Sequence, residues 1–446
     1  MQRPSDLDAQ LLHGTPYEAY VYAYPHKTAY RAIDPPIPLE EAWAGEAQSA
    51  LYLYVHVPFC EMRCGFCNLF TMVNPGESLV DAYLAALERQ IAVVRRALPD
   101  ARFARFAIGG GTPTLLPTDA LRRVLDLVEE RLDADLRGLP SSVETSPATA
   151  TPESIRLLVA RGVDRISLGV QSFIPGEAQS VGRPQRPEEV ERALGIIRDA
   201  GAPTLNIDLI YGLPEQTPES WRRSLEAALA WRPEEIYLYP LYVRPLTGLD
   251  RRGRALAAEA DAHRVALYRQ ATSLLGERGY TQASMRMFRA AHARDAEGPV
   301  YCVQDDGMVG LGAGARSYTR ALHWATEFAV GARSVREIIA TWCARTDAQH
   351  GLVDWGFRLD GDEQRRRWVA LTLFGDGLDL QAYRRRFGSD ALVDLPALAR
   401  LEPLALAVRR DGKLVLTARG LERSDAIGPA LFSDAVRARM AAWELR

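Results

Sequence analysis

Lysine is almost missing from this sequence: it occurs only at positions 27 and 413, so nearly all of the 54 basic residues are arginine. Alanine is abundant alongside, and we read the pair as a composition bias, not as phosphate recognition. Excess charge is missing as well. With 57 acidic residues the net charge is −3, so no global field draws the chain to nucleic acid or to an anionic membrane. No stretch approaches the roughly 18 uninterrupted apolar residues that a membrane-spanning helix needs. The opening residues, MQRPSDLDAQLLHG, lack the basic start and apolar run of a secretory leader. Together these point to the cytoplasm. Cysteine is scarce, five in 446 residues, which excludes a disulfide scaffold. What is present suits an ordinary globular core, with 47% hydrophobic and 25% charged residues.

The length suits about three domains, or fewer if one of them is an α/β barrel. Residues 1–45 are a Pro-interrupted stretch without sustained periodicity, read as an N-terminal arm. Tyr22, Tyr24, His26, Lys27 and Tyr30 form a polar-aromatic patch in it, which suggests a lid. From there to about 250, strand and helix patterns alternate. The expected strands are 51–57, 103–110, 141–146, 164–172, 204–212 and 234–242. Between them, Leu84, Leu87 and Ile91, and likewise Leu121, Val124, Leu125 and Val128, recur at helical spacing. Thr151 and Thr217 each precede Pro and Glu, a helix-start signal. Six strands with crossovers of about 25–40 residues imply a parallel sheet with helices outside. Polar residues gather at the C-terminal ends of several strands, where barrels carry their chemistry. The expected fold is therefore α/β, a partial (β/α)6 barrel over 46–250. A barrel extension over 251–334 follows, then a mostly helical, winged-helix-like module over 335–446 with a hairpin at Asp411-Gly412.

Three of the five cysteines lie within eight residues. Cys60, Cys64 and Cys67, spaced C-x3-C-x2-C, follow the first barrel strand. Three thiolates on one loop can hold three irons of a [4Fe–4S] cube and leave the fourth open to a ligand, whereas electron carriers close the cube with four cysteines. A zinc site completed by His56 is the competing reading at this stage. Tyr52, Tyr54 and His56 share one strand face by the period of two. Gly109, Gly110 and Gly111 let backbone approach a ligand closely. Cys343 sits in a helical pattern and reads as core; Cys302, near Asp305 and Asp306, is a candidate for the site.

C-x3-C-x2-C with Phe66 before the last cysteine resembles the signature of radical S-adenosylmethionine (SAM) enzymes. YVHVPFC, GGGTPT (109–114), Glu144, SLGVQSF (167–173), NIDLIYGLP (206–214) and GLGAGA (310–315) occur in the order of the HemN branch, so the resemblance covers about 50–320. It implies Cys60, Cys64 and Cys67 as ligands of a [4Fe–4S] cluster. It further implies Tyr54, Phe66, Gly110, Gly111, Thr112, Glu144 and Tyr242 as SAM contacts. Gln171, Arg183 and Asp208 are implied at a second SAM, where an Arg and an Asp suit an amino acid's carboxylate and ammonium. The family also implies a flavodoxin or ferredoxin-type electron donor. Two departures bear on substrate. Coproporphyrinogen-oxidising members carry a further cysteine two residues after the third, where this chain has Leu69. Haem-chaperone members carry an HNxxYW motif, where this chain has EGPVYCVQDDG (297–307). On these grounds the resemblance leans to a class C radical SAM methyltransferase, acting on an sp2 carbon of a heteroaromatic natural product or peptide such as a thiazole. A HemN-like oxidative decarboxylase of a porphyrinogen-like substrate, or a haem-trafficking protein, is the alternative.

Overall fold

A computed structural model describes residues 4–253, 259–294 and 307–445, so Cys302 and most of the 297–307 segment lie outside the described residues. Packing divides the chain into two compact units.

The larger unit, 30–255 with 292–358 and the last residues, is built on a mixed sheet. Its strands are β1 (Arg31–Pro38), β2 (Leu51–Val57), β3 (Phe103–Gly110), β4 (Ser141–Thr145), β5 (Arg165–Gln171), β6 (Thr204–Tyr211), β7 (Glu235–Pro240), β8 (Met308–Leu311), β9 (Arg316–Tyr318), β10 (Leu322–Ala325) and β11 (Leu352–Arg358). From β2 to β7 the strands lie side by side in chain order, all parallel. The crossovers carry α1 (Glu77–Ala97), α2 (Thr118–Leu132), α3 (Pro152–Ala160), α4 (Pro175–Ser180), α5 (Pro187–Asp199) and α6 (Pro218–Ala230). Strand β8 extends the parallel part beside β2, and β9, β10, β11 and β1 continue it antiparallel.

Alternation explains which face is which. Leu51, Leu53, Val55 and Val57 of β2, Ile166, Leu168 and Val170 of β5, and Leu205, Ile207 and Leu209 of β6 are all fully buried. Most of the intervening positions, among them Tyr52, Tyr54, His56, Arg165, Ser167, Asn206 and Asp208, are polar or aromatic and lie on the other face. That face is concave. At about 4.8 Å per strand a flat sheet would hold β2 and β7 roughly 24 Å apart, yet Tyr52 on β2 and Tyr237 on β7 interact electrostatically.

Helix starts follow the sequence with one refinement. Thr151 Oγ1 accepts a hydrogen bond from the Ser154 amide, and Ser154 Oγ accepts one from the Thr151 amide, a reciprocal capping box; Thr217 and Ser220 repeat it. Strand β1 was not legible as a strand, because RAIDPPIP carries three prolines. It survives at the sheet edge, paired only to β11, where missing amide donors cost little.

The smaller unit gathers 1–29, 256–291 and 359–443. Its core joins Leu11, Met285, Leu373, Tyr383, Leu398 and Ile427. The hairpin pairs Ala407–Arg410 with Lys413–Leu416, and Asp411 and Gly412 both take positive φ as a two-residue turn requires. Tyr24 is buried here and donates its hydroxyl to Glu363. Among the described residues no helix is long and apolar enough to cross a membrane.

Candidate active site

The cysteine loop leaves β2 and is tied down at several points. The short strand Phe59–Cys60 pairs with Met72–Val73, so Cys60 lies in register with Val73. The Gly65 amide donates to Val181 O at 2.7 Å and the Leu249 amide to Gly65 O at 2.8 Å, pinning the loop's apex to later segments of the same unit. Two of the thiols have a neighbour that can polarise them. Thr112 Oγ1 lies 3.6 Å from Cys60 Sγ, and Arg183 Nη1 lies 3.1 Å from Cys64 Sγ. Burial pushes the Cys60 thiol up to about 12 and raises that of Cys67, so these sulfurs ionise when a cation compensates them.

Among the described residues no three His, Cys, Asp or Glu side chains converge on a point where one metal ion would sit. Three thiols on one loop are the donor set that a [4Fe–4S] cube with one open iron would take. His56 is also engaged elsewhere: Nδ1 lies 3.1 Å from Tyr54 Oη and Nε2 3.2 Å from Phe70 O.

Gly110, at the end of β3, has φ +113°, and a Cβ there would lie 2.5 Å from His56 Cε1. At Gly111 a Cβ would come within 2.3 Å of Phe59 O. The glycine run thus allows the protein's own backbone and imidazole to close up behind the cysteine loop. The amides of Gly111 and Thr112 bond Val57 O and Phe59 O at 2.8 and 2.7 Å, continuing that seam. Within GLGAGA, Gly312 (φ +96°) clears Tyr83, which donates its hydroxyl to His56 O.

On the concave face, Glu144 accepts from the Gly110 amide at 3.2 Å. It is reachable from the hollow of the sheet but surrounded by protein, and desolvation followed by the nearby Asp208 pushes its carboxyl up to about 7. Burial also raises Asp208, which accepts from Asn206 Nδ2 at 2.8 Å. Gln171 ends β5 at φ +69°, where the register to β6 shifts. Arg183 is buried and ties three places together: Cys64, Gly169 O at 2.6 Å, and Gln185 Oε1 at 3.2 Å. Tyr54 and Phe66 are half-buried, and Tyr242 is half-buried under the Arg244 guanidinium, 4.3 Å from the ring centre. The structure thus brings Tyr54, Gly110, Glu144 and Asp208 to one face, and sets Arg183 against the cysteine loop.

Sequence reasoning missed the floor of this hollow. Arg165 Nε pairs with Glu235 at 2.6 Å and Nη1 reaches Ser167 Oγ at 2.5 Å, with Tyr237 beside it. The period of two on β5 already put Arg165 on the face of Ser167 and Gln171, a signal that could have found it. Glu61, between the first two cysteines, was also missed; Ser146 Oγ donates to it at 2.6 Å and joins the loop after β4 to the cysteine loop.

The radical SAM superfamily model matches residues 54–228. The chain is 34% identical over 276 residues to the oxygen-independent coproporphyrinogen III oxidase of Paracoccus denitrificans, covering 61% of this chain and 60% of that protein. It is 30% identical over 273 residues to the haem chaperone HemW of Bacillus subtilis, covering 59% and 70%. The solved coproporphyrinogen III oxidase HemN of Escherichia coli superposes with a TM-score of 0.78 at 25% identity, over 92% of this chain and 96% of that one. The match to the Paracoccus oxidase thus spans less than two thirds of that protein's length. These relatives overturn the expected C-methyltransferase and its heteroaromatic natural-product substrate. That expectation rested on two missing short motifs, and identity sustained over 276 residues with oxidases outweighs them. The fold is the α/β radical SAM fold, and the family implies a [4Fe–4S] cluster and SAM. The chain belongs to the radical SAM superfamily, in the HemN-like branch that contains coproporphyrinogen III oxidases and HemW haem chaperones.

Proposed function

We propose that the protein is a HemN-type radical SAM oxidase that oxidatively decarboxylates a porphyrinogen-like substrate. The observation that carries this reading is the extent of the likeness in sequence: 88% of this chain aligns at 26% identity with the anaerobic coproporphyrinogen III oxidase of Cereibacter sphaeroides, against 59% at 30% identity with the HemW relative. In this reading Cys60, Cys64 and Cys67 hold the cluster, and Tyr54, Phe66, Gly110, Gly111, Thr112, Glu144 and Tyr242 surround SAM. Gln171, Arg183 and Asp208 serve a second SAM or the substrate side of the hollow, and a flavodoxin or ferredoxin-type protein supplies electrons. When bound, the cluster and SAM supply a one-electron C–S cleavage and so a radical able to take hydrogen from carbon.

The chain's own residues do the positioning. Arg183 holds the Cys64 sulfur in place from Gly169 and lends it positive charge. Glu144, kept in place by the Gly110 amide, offers a carboxylate oxygen to a donor group such as an ammonium. A positive ligand would drive its proton off and pull its pKa down from about 7. Asp208, steadied by Asn206, offers a second acceptor on the same face. Arg165 and Glu235 neutralise each other beneath them, so the floor adds little net charge. The helices packed outside the strands exclude water from the hollow's back wall.

Anaerobically reconstituted protein, supplied with SAM, dithionite and coproporphyrinogen III, tests this by mass spectrometry. Loss of carbon dioxide from the porphyrinogen with formation of 5′-deoxyadenosine is expected. SAM cleavage with every carboxylate intact would refute it, and stoichiometric haem binding would favour the chaperone.

A further inference from the structure

A cavity of about 270 Å³ opens beside the cysteine loop, lined by Arg63, Thr71, Met72, Val73, Arg333 and Arg336 with Ala332. All three charged residues of that lining are cations.

Its position is what matters. Val73 in the wall is the register partner of Cys60, and adjacent strands run about 4.8 Å apart. Arg63 in the wall lies on the loop itself, next to Cys64, and donates to Val330 O. The cavity is therefore one strand spacing from Cys60 and reaches the cysteine loop. On the far wall, Arg333 and Arg336 project from the first turns of the helix Ala332–Cys343, whose positive end adds to their field. Arg333 pairs with Glu337 at 2.9 Å, but both are open to water, with side-chain exposures of 92% and 61%. A pair that open is exchangeable for a partner's carboxylate.

We propose that this basic cavity is where an acidic electron-donor protein docks, a small protein bearing a flavin or an iron–sulfur centre behind a rim of Asp and Glu. The inference rests on the radical SAM reading. Each encounter passes one electron: the donor's centre is oxidised by one electron and the cluster is reduced by one, with no proton or atom transferred. Arg333 and Arg336 attract the donor, and the Met72–Val73 strand forms the short path to the cysteine loop.

The test uses reconstituted protein, wild type and Arg333→Glu/Arg336→Glu, titrated with a fluorescently labelled acidic flavodoxin. Dithionite-driven 5′-deoxyadenosine formation is measured in parallel, because dithionite needs no docking surface. Two charge reversals are expected to weaken donor binding by about tenfold or more at low salt. The difference should vanish at high salt while the dithionite rate is unchanged. Arg333→Gln/Arg336→Gln is expected to fall between. Unchanged donor affinity would overturn the proposal, as would a dithionite rate that drops in step with it. Wild type that binds the donor through these arginines yet consumes no SAM under dithionite would support the docking surface and refute the oxidase reading alone.

Discussion

Replacing Gly110 with Ala tests the seam behind the cysteine loop. The backbone there has φ +113°, and the added Cβ would sit 2.5, 2.6 and 2.7 Å from three atoms of the His56 ring. Backbone strain for an L-residue in that region is about 1–3 kcal/mol. The ring must retreat by nearly an ångström, but it is held at both nitrogens, by Tyr54 Oη at 3.1 Å and Phe70 O at 3.2 Å. Losing both hydrogen bonds adds about 1 kcal/mol each, so roughly 3–5 kcal/mol of local stability is at stake. Amide hydrogen exchange at Gly111 and Thr112 reads it, because these amides bond Val57 O and Phe59 O across the seam. At about 1.4 kcal/mol per decade, protection should fall by about two orders of magnitude or more. A local probe is preferable to global unfolding because the chain has two packing units. In a His56→Ala background the clash has no target, and the loss should shrink to the strain alone. Equal losses in both backgrounds, or a change below about threefold, would refute the account of this glycine.

Three further outcomes follow from the same geometry. The Glu144 carboxyl lies well above the ordinary carboxylate range, so between its unfolded value and about 7 the native state holds an extra proton. Its contribution favours folding at acid pH and fades as pH rises through 7; Glu144→Gln should flatten stability over that window, and Asp208→Asn should move the Glu144 midpoint down. A midpoint near 4.5 by infrared titration of the carboxyl would contradict this. Substituting any of Cys60, Cys64 or Cys67 by Ala should sharply lower iron retained after anaerobic reconstitution, with circular dichroism of the apoprotein unchanged; full iron content would remove that cysteine from the ligand set. Thr151→Ala removes one half of a capping box and should cost α3 about 1 kcal/mol, read as faster exchange at its first amides, including Ser154.

The barrel strands were legible because alternation and crossover length are local. Each of β2 to β7 falls within a residue or two of its expected bounds, since Leu, Ile and Val outside and polar residues inside repeat with period two. Strand β1 was illegible because its prolines argue against a strand and only its edge position permits them. At the site, the cysteine spacing could be read, but the use of the glycines could not. Sequence pointed to close approach at 110 and 111 without saying that His56 and Phe59 are what approach. Arg183 was expected at a cofactor carboxylate, and its setting against Cys64 and Gly169 depends on the fold of the segment after β5. Arg165 and Glu235 stand on strands two apart in the sheet, so their pairing depends on the strand order and not on the local sequence. The substrate assignment failed for a related reason: it weighed two missing short motifs, while the likeness to HemN is spread along the whole chain.

The measurement that bears most directly on the oxidase reading is coupling between SAM cleavage and porphyrinogen oxidation in the anaerobically reconstituted protein. The account predicts that coproporphyrinogen III accelerates 5′-deoxyadenosine formation, with carbon dioxide and a decarboxylated tetrapyrrole appearing in proportion. SAM cleavage at the same rate with and without the porphyrinogen, and no carbon dioxide released, would contradict it.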